Sequence, residues 1–297
     1  MGGPVHLADF GGSGPPMVLV HGLGGSHLNW MRVGPRLAER ARVLAPDLPG
    51  FGLTPPAGRS TGVQANARFL GRFVREVAGG PAILVGNSMG GLIAILAAAN
   101  RPADVAGLVL LDPALPLAPG APRDRQVVMA FTAYIVPGIG ELFVRRRLAA
   151  RGADGLVRDT FELCCVDPTR VPDEVVDAHV EMVRGRTRMP WANPSVLRAA
   201  RSLVRVILRR RRFRDLLARI EAPTLLLQGE ADRLVQVAAA RLVSRVRPDW
   251  TFRTLRDVGH TPHLEDPEAT VREIWEWLDG SAREAWKAAG APAGEAV

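Results

Sequence analysis

Short apolar runs alternate with stretches of helical periodicity along most of the chain, over residues 5–112 and again over residues 223–279. The runs have strand length and are bounded by glycine, proline or polar residues. Such strands, apolar at nearly every position and separated by helices, are typical of a mainly parallel sheet covered by helices on both faces. Strands are predicted over residues 5–10, 17–20, 42–45, 82–85, 105–111, 224–228 and 251–255. Helices of this part are predicted over residues 28–40, 63–78, 237–247 and 267–278 and directly after Ser88.

Residues 113–222 interrupt this alternation. They begin with a proline-rich stretch and then show helical patterns near 124–135, 141–150, 173–185 and 195–219. We therefore predict an α/β core made of residues 1–112 and 223–280, with residues 113–222 inserted as a helical cap over the carboxyl ends of the strands. Residues 281–297 are rich in alanine, glycine and charge, and we predict that they form a flexible tail.

The positive charge of the chain is concentrated in the predicted cap. The whole sequence has a formal net charge of +8, and residues 113–222 hold 20 arginines against 12 acidic residues. Because arginine supplies almost all basic residues, the skew points to genome composition and we expect no nucleic-acid partner. The run Arg209–Arg212 is predicted to be the solvated face of a helix, with a grip on an anionic substrate or a membrane surface as the alternative.

The remaining composition predicts a cytoplasmic protein. No apolar stretch reaches the roughly 20 residues that cross a bilayer, and the N-terminus shows no secretory pattern, so no membrane anchor is expected. Cys164 and Cys165 are adjacent and are predicted to be reduced, buried thiols. Six scattered histidines show no metal-ligand spacing, so we expect no metal. We expect a monomer or a homodimer.

Ser88 is the candidate nucleophile. It lies in Gly86-Asn87-Ser88-Met89-Gly90, between a predicted strand and a predicted helix. Glycines two residues before and two after a serine allow the tight turn that lifts its hydroxyl clear of the backbone. The start of a helix also favours a developing oxyanion, because its N–H groups are free there.

A glycine-rich loop, His21-Gly22-Leu23-Gly24-Gly25, follows the second predicted strand. It lacks the spacing of a phosphate or dinucleotide loop, so we predict an oxyanion hole formed by the N–H groups of Leu23 and Met89. His21 is predicted to hold this loop by hydrogen bonds. Asp47, in a rigid proline- and glycine-rich loop, is predicted to bind backbone amides.

Asp232 and His260 complete a candidate triad with Ser88. All three directly follow predicted strands, and the carboxyl ends of parallel strands lie at one edge of the sheet. Histidine can serve as the base for the serine, and a carboxylate can fix the orientation and tautomer of the histidine. Asp112 also follows a strand and is the competing acid, while His263 is the weaker competing base.

With these motifs, the chain resembles the α/β-hydrolase fold superfamily over about residues 5–279. The matching stretches are HGLGG, DLPGFG, GNSMGG, LLDPALP, LLLQGEADRLV and VGHTPHLEDP. The resemblance implies a mostly parallel eight-stranded sheet with a cap after the sixth strand, and no cofactor. It also implies that nucleophile, acid and base are Ser88, Asp232 and His260.

The resemblance leaves the reaction open. A serine at position 88 excludes the aspartate-nucleophile chemistry of epoxide hydrolases and haloalkane dehalogenases of this fold. GNSMGG is similar to meta-cleavage carbon–carbon hydrolases, which implies that Asn87 binds substrate, but HGLGGS and Thr261 depart from their pattern. We expect a serine hydrolase, a carboxylesterase or lipase-like enzyme that cleaves small or medium-size carboxylic esters through an acyl-enzyme on Ser88. Carbon–carbon hydrolysis is the alternative, and a non-catalytic ligand-binding member of the fold is a third reading.

Overall fold

A seven-stranded sheet forms the centre of the computed structural model, which describes residues 1–120 and 124–290. The strand order is β1-β3-β2-β4-β5-β6-β7, and all neighbouring strands are parallel except β1 and β3. Residues 7–255 contain the strands β1 (Leu7–Gly11), β2 (Pro16–Val20), β3 (Arg42–Pro46), β4 (Ala82–Asn87), β5 (Val105–Leu111), β6 (Thr224–Gly229) and β7 (Thr251–Leu255).

The described residues contain twelve α-helices, some of which cover the sheet while the others form the inserted segment. They are α1 (Gly34–Leu37), α2 (Val63–Phe73), α3 (Met89–Asn100), α4 (Arg125–Ile135), α5 (Ile139–Cys164), α6 (Asp173–Thr187), α7 (Ala192–Ile207), α8 (Arg210–Ala218), α9 (Val237–Val246), α10 (Pro262–Glu265), α11 (Pro267–Asp279) and α12 (Arg283–Ala289). None of the helices in the described part of the chain is long and apolar enough to cross a membrane.

Both faces of the sheet are buried, which explains why its strands are apolar at successive positions. Leu108 and Leu110 of β5 pack into a core with α2, α3, α8 and α9. The alternate residues Val109 and Leu111 pack into a second core with α1 and α11. Each fully buried side chain of this size contributes roughly 1.5–3 kcal/mol, so both faces stabilise the sheet.

The prediction of eight strands is wrong by one, and the helical insertion accordingly follows the fifth observed strand. Before β1, the carbonyl of His6 accepts the N–H of Asp47 at 2.9 Å, directly after β3. The N–H of His6 donates to Thr54 Oγ1 at 2.8 Å, and Arg59 donates to the carbonyl of Pro4 at 2.8 Å. The loop at residues 54–59 thus holds this segment, and the described residues include no further edge strand beside β1.

Two predicted helices are shorter or broken. The helix predicted over residues 28–40 is a single 3₁₀ turn followed by α1, where Pro35 removes a backbone donor. The helix predicted over residues 195–219 is divided into α7 and α8, because Arg209 leaves the helical conformation with φ −88° and ψ 63°. The hydrophobic periodicity of the sequence continues across both breaks, and for this reason the sequence pattern did not predict where the helices end.

Helices α4 to α8 occupy the segment that we predicted as a cap. The long helix α5 bends at Gly152, whose φ is 62°. Beyond the bend, Val157 and Phe161 of α5 pack against Val176 and Val180 of α6, and this small core includes Leu264 from the α/β part. The cap therefore contacts the α/β part through an apolar cluster close to His260 in sequence.

The predicted tail over residues 281–297 contains a helix. Ala282 is buried, and Trp286 of α12 contacts Trp275 of α11 with ring centroids 5.8 Å apart. The carbonyl of Ala282 also accepts the N–H of Trp286 at 2.8 Å. Residues 281–290 are thus packed on α11, and the rest of the predicted tail lies outside the described residues.

Candidate active site

Ser88 lies in a strained turn between β4 and α3. Its φ is 53°, a conformation that costs about 1–3 kcal/mol for a residue with a Cβ. A Cβ on Gly90 would lie 1.9 Å from the carbonyl oxygen of Val20, and one on Gly86 would lie 2.6 Å from that of Gly90. Only glycine fits at these two positions, which is the reason for the predicted spacing around the serine.

The turn is held by backbone hydrogen bonds to the end of β5. The N–H of Ser88 donates to the carbonyl of Leu111 at 3.1 Å, and the carbonyl of Ser88 accepts from Ala114 at 2.9 Å. These bonds compensate for the strained backbone because they fix the serine from both sides. Ser88 is therefore placed at the carboxyl edge of the sheet with its side chain lining a cavity.

His260 and Asp232 form a buried pair at the same edge. Nδ1 of His260 lies 2.7 Å from Oδ2 of Asp232, and both side chains are almost fully enclosed. Oδ1 of Asp232 accepts the N–H groups of Leu234 and Val235 at 2.7 and 2.9 Å. With Nδ1 donating to a carboxylate, Nε2 of His260 is left as the acceptor, which is the form required of a general base.

Asp112, the competing acid, lies next to this pair without contacting the histidine by a hydrogen bond. Its Oδ1 accepts from the N–H of Gly229 at 2.9 Å, and its Oδ2 has no partner among the described residues. Burial and the charge of Asp232 raise the pKa of Asp112 well above its ordinary value. Asp232, with four donors, is thus the better-stabilised carboxylate, whereas the surroundings of Asp112 favour its protonated form.

Gln228 connects the two acids and was missed in the sequence. Its Nε2 lies 2.6 Å from Oδ1 of Asp112 and 3.0 Å from Oδ2 of Asp232, and it also donates to the carbonyl of Val235 at 2.8 Å. In the sequence, a single glutamine in an apolar strand looks like a tolerated polar residue. The sequence did offer one indication of its role, since Gln228 lies four residues before Asp232 in a strand that is buried at every position.

The loop that begins at His21 lies beside Ser88. A Cβ on Gly22 would come within 3.4 Å of Ser88 Cβ. The N–H groups of Leu23 and Met89 make no hydrogen bond in the described part of the chain, as required of oxyanion donors. Met89 is the first residue of α3, so its N–H has no acceptor within the helix.

His21 and Asp47 have the structural roles predicted for them. Nδ1 of His21 bonds to the carbonyl of Gly22 at 2.8 Å, and its Nε2 accepts the N–H of Leu48 at 3.1 Å. Burial lowers the pKa of His21 to about 4, so it is neutral at pH 7. Asp47 accepts the N–H groups of His27 and Leu53 at 2.6 and 2.8 Å.

Asn87, predicted to bind substrate, makes other contacts. Its Nδ2 donates to the carbonyl of Leu111 at 3.1 Å and to the carbonyl of His260 at 3.0 Å. Both N–H bonds of the amide are thereby used within the protein. Since these bonds join the end of β5 to the histidine loop, the geometry favours positioning of His260 over contact with a substrate.

Glu265 ties the histidine loop to the cap and was not singled out in the sequence. Its Oε2 accepts the N–H of Gly259 at 2.7 Å, and its Oε1 accepts the N–H of Val166 at 2.7 Å and of Asp167 at 3.0 Å. The N–H of His260 itself donates to the carbonyl of Cys164 at 2.5 Å. The end of α5 therefore forms part of the support of the base.

The other candidates are placed in the core or at the surface. His263 is fully buried against Trp30, with ring centroids 4.7 Å apart, and burial lowers its pKa to about 3. It is therefore a neutral core residue. Cys164 and Cys165 are buried free thiols, as predicted, and burial raises the pKa of Cys165 to about 12. Arg209–Arg212 are exposed at the start of α8, as expected of a solvated face.

Two groups of side chains have metal-ligand chemistry, and both are explained by hydrogen bonds. One consists of Asp112, Asp232 and His260 and is the site described above. In the other, Nδ1 of His6 and of His27 lie 3.2 and 3.1 Å from Oδ2 of Asp47. The oxygens of Asp47 already accept backbone N–H groups, so little of the carboxylate is left for an ion.

Ser88 and His260 line one cavity of about 350 Å³ between the sheet edge and the cap. The cap contributes mainly apolar and aromatic side chains, among them Phe131, Tyr134 and Phe161. A larger cleft of about 580 Å³ lies along α2 and the end of α3 and contains none of the predicted site residues. The smaller cavity is therefore the candidate substrate site.

The comparison with protein families agrees with this geometry. The alpha/beta hydrolase fold family matches residues 15–267, which is most of the chain, and the chain belongs to that family. The matched region includes the turn at Ser88 and the loops of Asp232 and His260.

Individual relatives extend over nearly the whole length. The pimeloyl-[acyl-carrier protein] methyl ester esterase of Methylococcus capsulatus is 30% identical over 277 residues, 91% of this chain and 97% of that protein. The 2-(acetamidomethylene)succinate hydrolase of Mesorhizobium japonicum is 28% identical over 279 residues, 90% of this chain and 89% of that protein. Among solved structures, a thermophilic esterase from Thermogutta terrifontis superimposes with a TM-score of 0.71 at 27% identity, covering 94% of each chain.

Proposed function

We propose that this protein is a serine hydrolase that cleaves carboxylic esters through an acyl-enzyme on Ser88. One observation carries the proposal: a strained serine and a buried His260–Asp232 pair, joined at 2.7 Å, open into the same cavity. A serine in a strained turn, a histidine and a buried carboxylate together form an activated nucleophile.

Each residue has a defined part in the proposed reaction. Ser88 Oγ attacks the ester carbonyl while Nε2 of His260 takes its proton, and Asp232 stabilises the imidazolium that forms. The N–H groups of Leu23 and Met89 bind the oxyanion of the tetrahedral intermediate. His260 then protonates the leaving alcohol, and water repeats these steps on the acyl-enzyme and releases the acid.

The cavity and the relatives favour esters of small or medium size. A volume of about 350 Å³ accommodates a compact acyl group rather than a long extended chain. Relatives with full-length similarity include a methyl ester esterase and a thermophilic esterase. Carbon–carbon hydrolysis was the alternative because Asn87 could bind a dienoate. Its amide N–H groups are used at Leu111 and His260, so Asn87 no longer favours this alternative.

The test is labelling with a fluorophosphonate probe together with turnover of p-nitrophenyl esters from acetate to palmitate. We expect labelling and turnover of short and medium esters by the wild type, and for Ser88→Ala a loss on the order of 10⁴–10⁶ in rate. Ser244→Ala is a matched control, since Ser244 is a half-buried serine of α9 whose hydroxyl bonds only to the backbone of its own helix in the described structure. Retention of most esterase activity in Ser88→Ala would exclude this mechanism.

A further inference from the structure

Arg186 is a cation of the cap that faces the candidate active site without an acidic partner. It lies near the C-terminal end of α6 and lines the same cavity as Ser88 and His260. Its Nη1 donates to the carbonyl of Gly24 at 2.7 Å. Its Nε is enclosed and has no partner among the described residues, and no hydrogen bond of Nη2 is found there either.

The second arginine that lines the cavity is paired, and so is a neighbour of Arg186 on α6. Arg147, which lines the same cavity, lies 3.4 Å from Asp159, and Arg184, two residues before Arg186, lies 2.8 Å from Asp154. Arg186 forms no ion pair with any carboxylate in the described part of the chain. Of the two arginines that line the cavity in the described structure, Arg186 is thus the one without an acidic partner.

The surroundings of Arg186 make its charge costly. Burial lowers the pKa of its guanidinium, because the cavity side of α6 replaces water with apolar side chains. Among the described residues that line the cavity there is no aspartate or glutamate. Asp47 is the one carboxylate that offsets this effect, and it forms no ion pair with Arg186 in the described structure. A cation that is partly removed from water without an adjacent anion loses solvation, so an anionic ligand in the cavity would be favourable.

We propose that Arg186 binds a carboxylate of the substrate, so that the preferred substrates are anionic esters: half-esters of short dicarboxylic acids. This inference rests on the proposed ester hydrolysis at Ser88. A single guanidinium matches one carboxylate in a two-bond geometry, whereas a phosphate is usually held by more donors.

The position of Arg186 limits the length of the substrate. Gly24, to which it bonds, is the residue after Leu23, whose N–H is the proposed oxyanion donor. One residue spans 3.8 Å, and each hydrogen bond adds about 3 Å, so the two binding points are on the order of 5–10 Å apart. This spacing corresponds to acyl chains of about four to six carbons with a terminal carboxylate.

The test compares p-nitrophenyl hydrogen glutarate with the p-nitrophenyl ester of monomethyl glutarate, which has the same chain without the charge. Wild-type kcat/KM is expected to be higher for the anionic ester. Arg186→Met should lower kcat/KM for the anionic ester by about 10- to 100-fold and for the neutral ester by less than about threefold. Arg186→Lys should recover part of the loss. Arg188→Met, an exposed arginine directly after α6, is the matched control.

Equal losses on the two esters would overturn the proposal, because they would mean that Arg186 acts only by holding the loop at Gly24. No preference of the wild type for the anionic ester would overturn it as well. Calorimetric titration of Ser88→Ala with glutarate, with and without Arg186→Met, separates this inference from the proposed reaction. If the wild type hydrolyses neither ester while glutarate binding to Ser88→Ala depends on Arg186, the esterase is refuted and the anion site is kept. Absence of glutarate binding in both proteins would refute the anion site.

Discussion

Two buried aspartates lie beside one histidine, and the structure surrounds them differently. Asp232 accepts hydrogen bonds from His260, Gln228, Leu234 and Val235, four donors that stabilise an anion. Asp112 has a raised pKa and an oxygen without a partner in the described structure. The two substitutions to asparagine should therefore have very different effects, although the side chains are alike and adjacent.

Asp232→Asn removes the charge that stabilises the imidazolium and presents an N–H to His260 Nδ1. The histidine then adopts the wrong tautomer for accepting a proton from Ser88, and kcat is expected to fall about 10⁴-fold. Asp112→Asn replaces a carboxyl group whose protonated form is favoured by a neutral amide of the same shape. The amide oxygen can still accept the N–H of Gly229, which lies 2.9 Å from Oδ1 in the wild type, so kcat should fall by less than about tenfold.

Stability against pH gives a second readout for Asp112. Its folded pKa is raised, so above the unfolded value of about 3.9 the unfolded chain releases a proton that the folded protein keeps. The free energy of unfolding of the wild type therefore falls as pH rises above about 4, by up to about 1.4 kcal/mol per pH unit, until the folded pKa is reached. Asp112→Asn lacks this loss, and its stability relative to the wild type should increase with pH.

The assays are kcat with a short p-nitrophenyl ester at pH 7.5 and urea unfolding at pH 4.5, 5.5 and 6.5. A difference in unfolding free energy between Asp112→Asn and wild type that does not change with pH would mean that Asp112 is ionised in the folded protein. A loss near 10⁴-fold in Asp112→Asn with a mild effect of Asp232→Asn would exchange the two roles. Either result would refute the charge assignment.

Glu265→Gln should cost about 1–3 kcal/mol of unfolding free energy, because an amide N–H then faces one of the donors now bonded to the carboxylate. Esterase kcat/KM should fall roughly tenfold, because Glu265 binds the N–H of Gly259 and Gly259 is the residue directly before the base, His260. If neither the unfolding free energy in urea nor kcat/KM changed, this contact would be dispensable. His263→Phe should weaken acid destabilisation. The folded pKa of His263 is about 3 against 6.5 unfolded, so the wild type loses stability as pH falls below 6.5. The variant should retain about 2 kcal/mol more of its pH 7 stability at pH 5 in urea unfolding, and an equal acid loss in both proteins would contradict this.

The core of the fold could be predicted because its determinants are local. Continuous apolar strands, glycines around Ser88 and polar residues at strand ends identify the sheet, the turn and its edge. Breaks such as Arg209 were missed because hydrophobic periodicity continues through them. The extra edge strand was expected by resemblance alone, and in the described structure side-chain bonds from Arg59 hold the chain away from that position.

The supporting contacts of the candidate site could not be predicted, because each depends on how distant segments meet. Gln228 contacts Asp112, 116 residues away, and Glu265 contacts the end of α5 almost 100 residues earlier. Asn87 was assigned to substrate from its place beside Ser88, but the carbonyls of Leu111 and His260 are near enough to use both of its N–H groups. A residue type indicates which bonds are possible, and only the packing decides which are made.

The cap and the acid–base pair are physically connected, which limits how independently they can change. Arg186 and the aromatic residues of α4 and α5 face the cavity without contacting Asp232, so substitutions there should alter the choice of substrate more than the chemistry. The end of α5 is different, because the carbonyl of Cys164 accepts the N–H of His260 at 2.5 Å and Glu265 bonds to Val166 and to Gly259. A displacement of this part of the cap would move the base itself. Selectivity can therefore vary along α4 and α6, while residues 164–167 are constrained by catalysis.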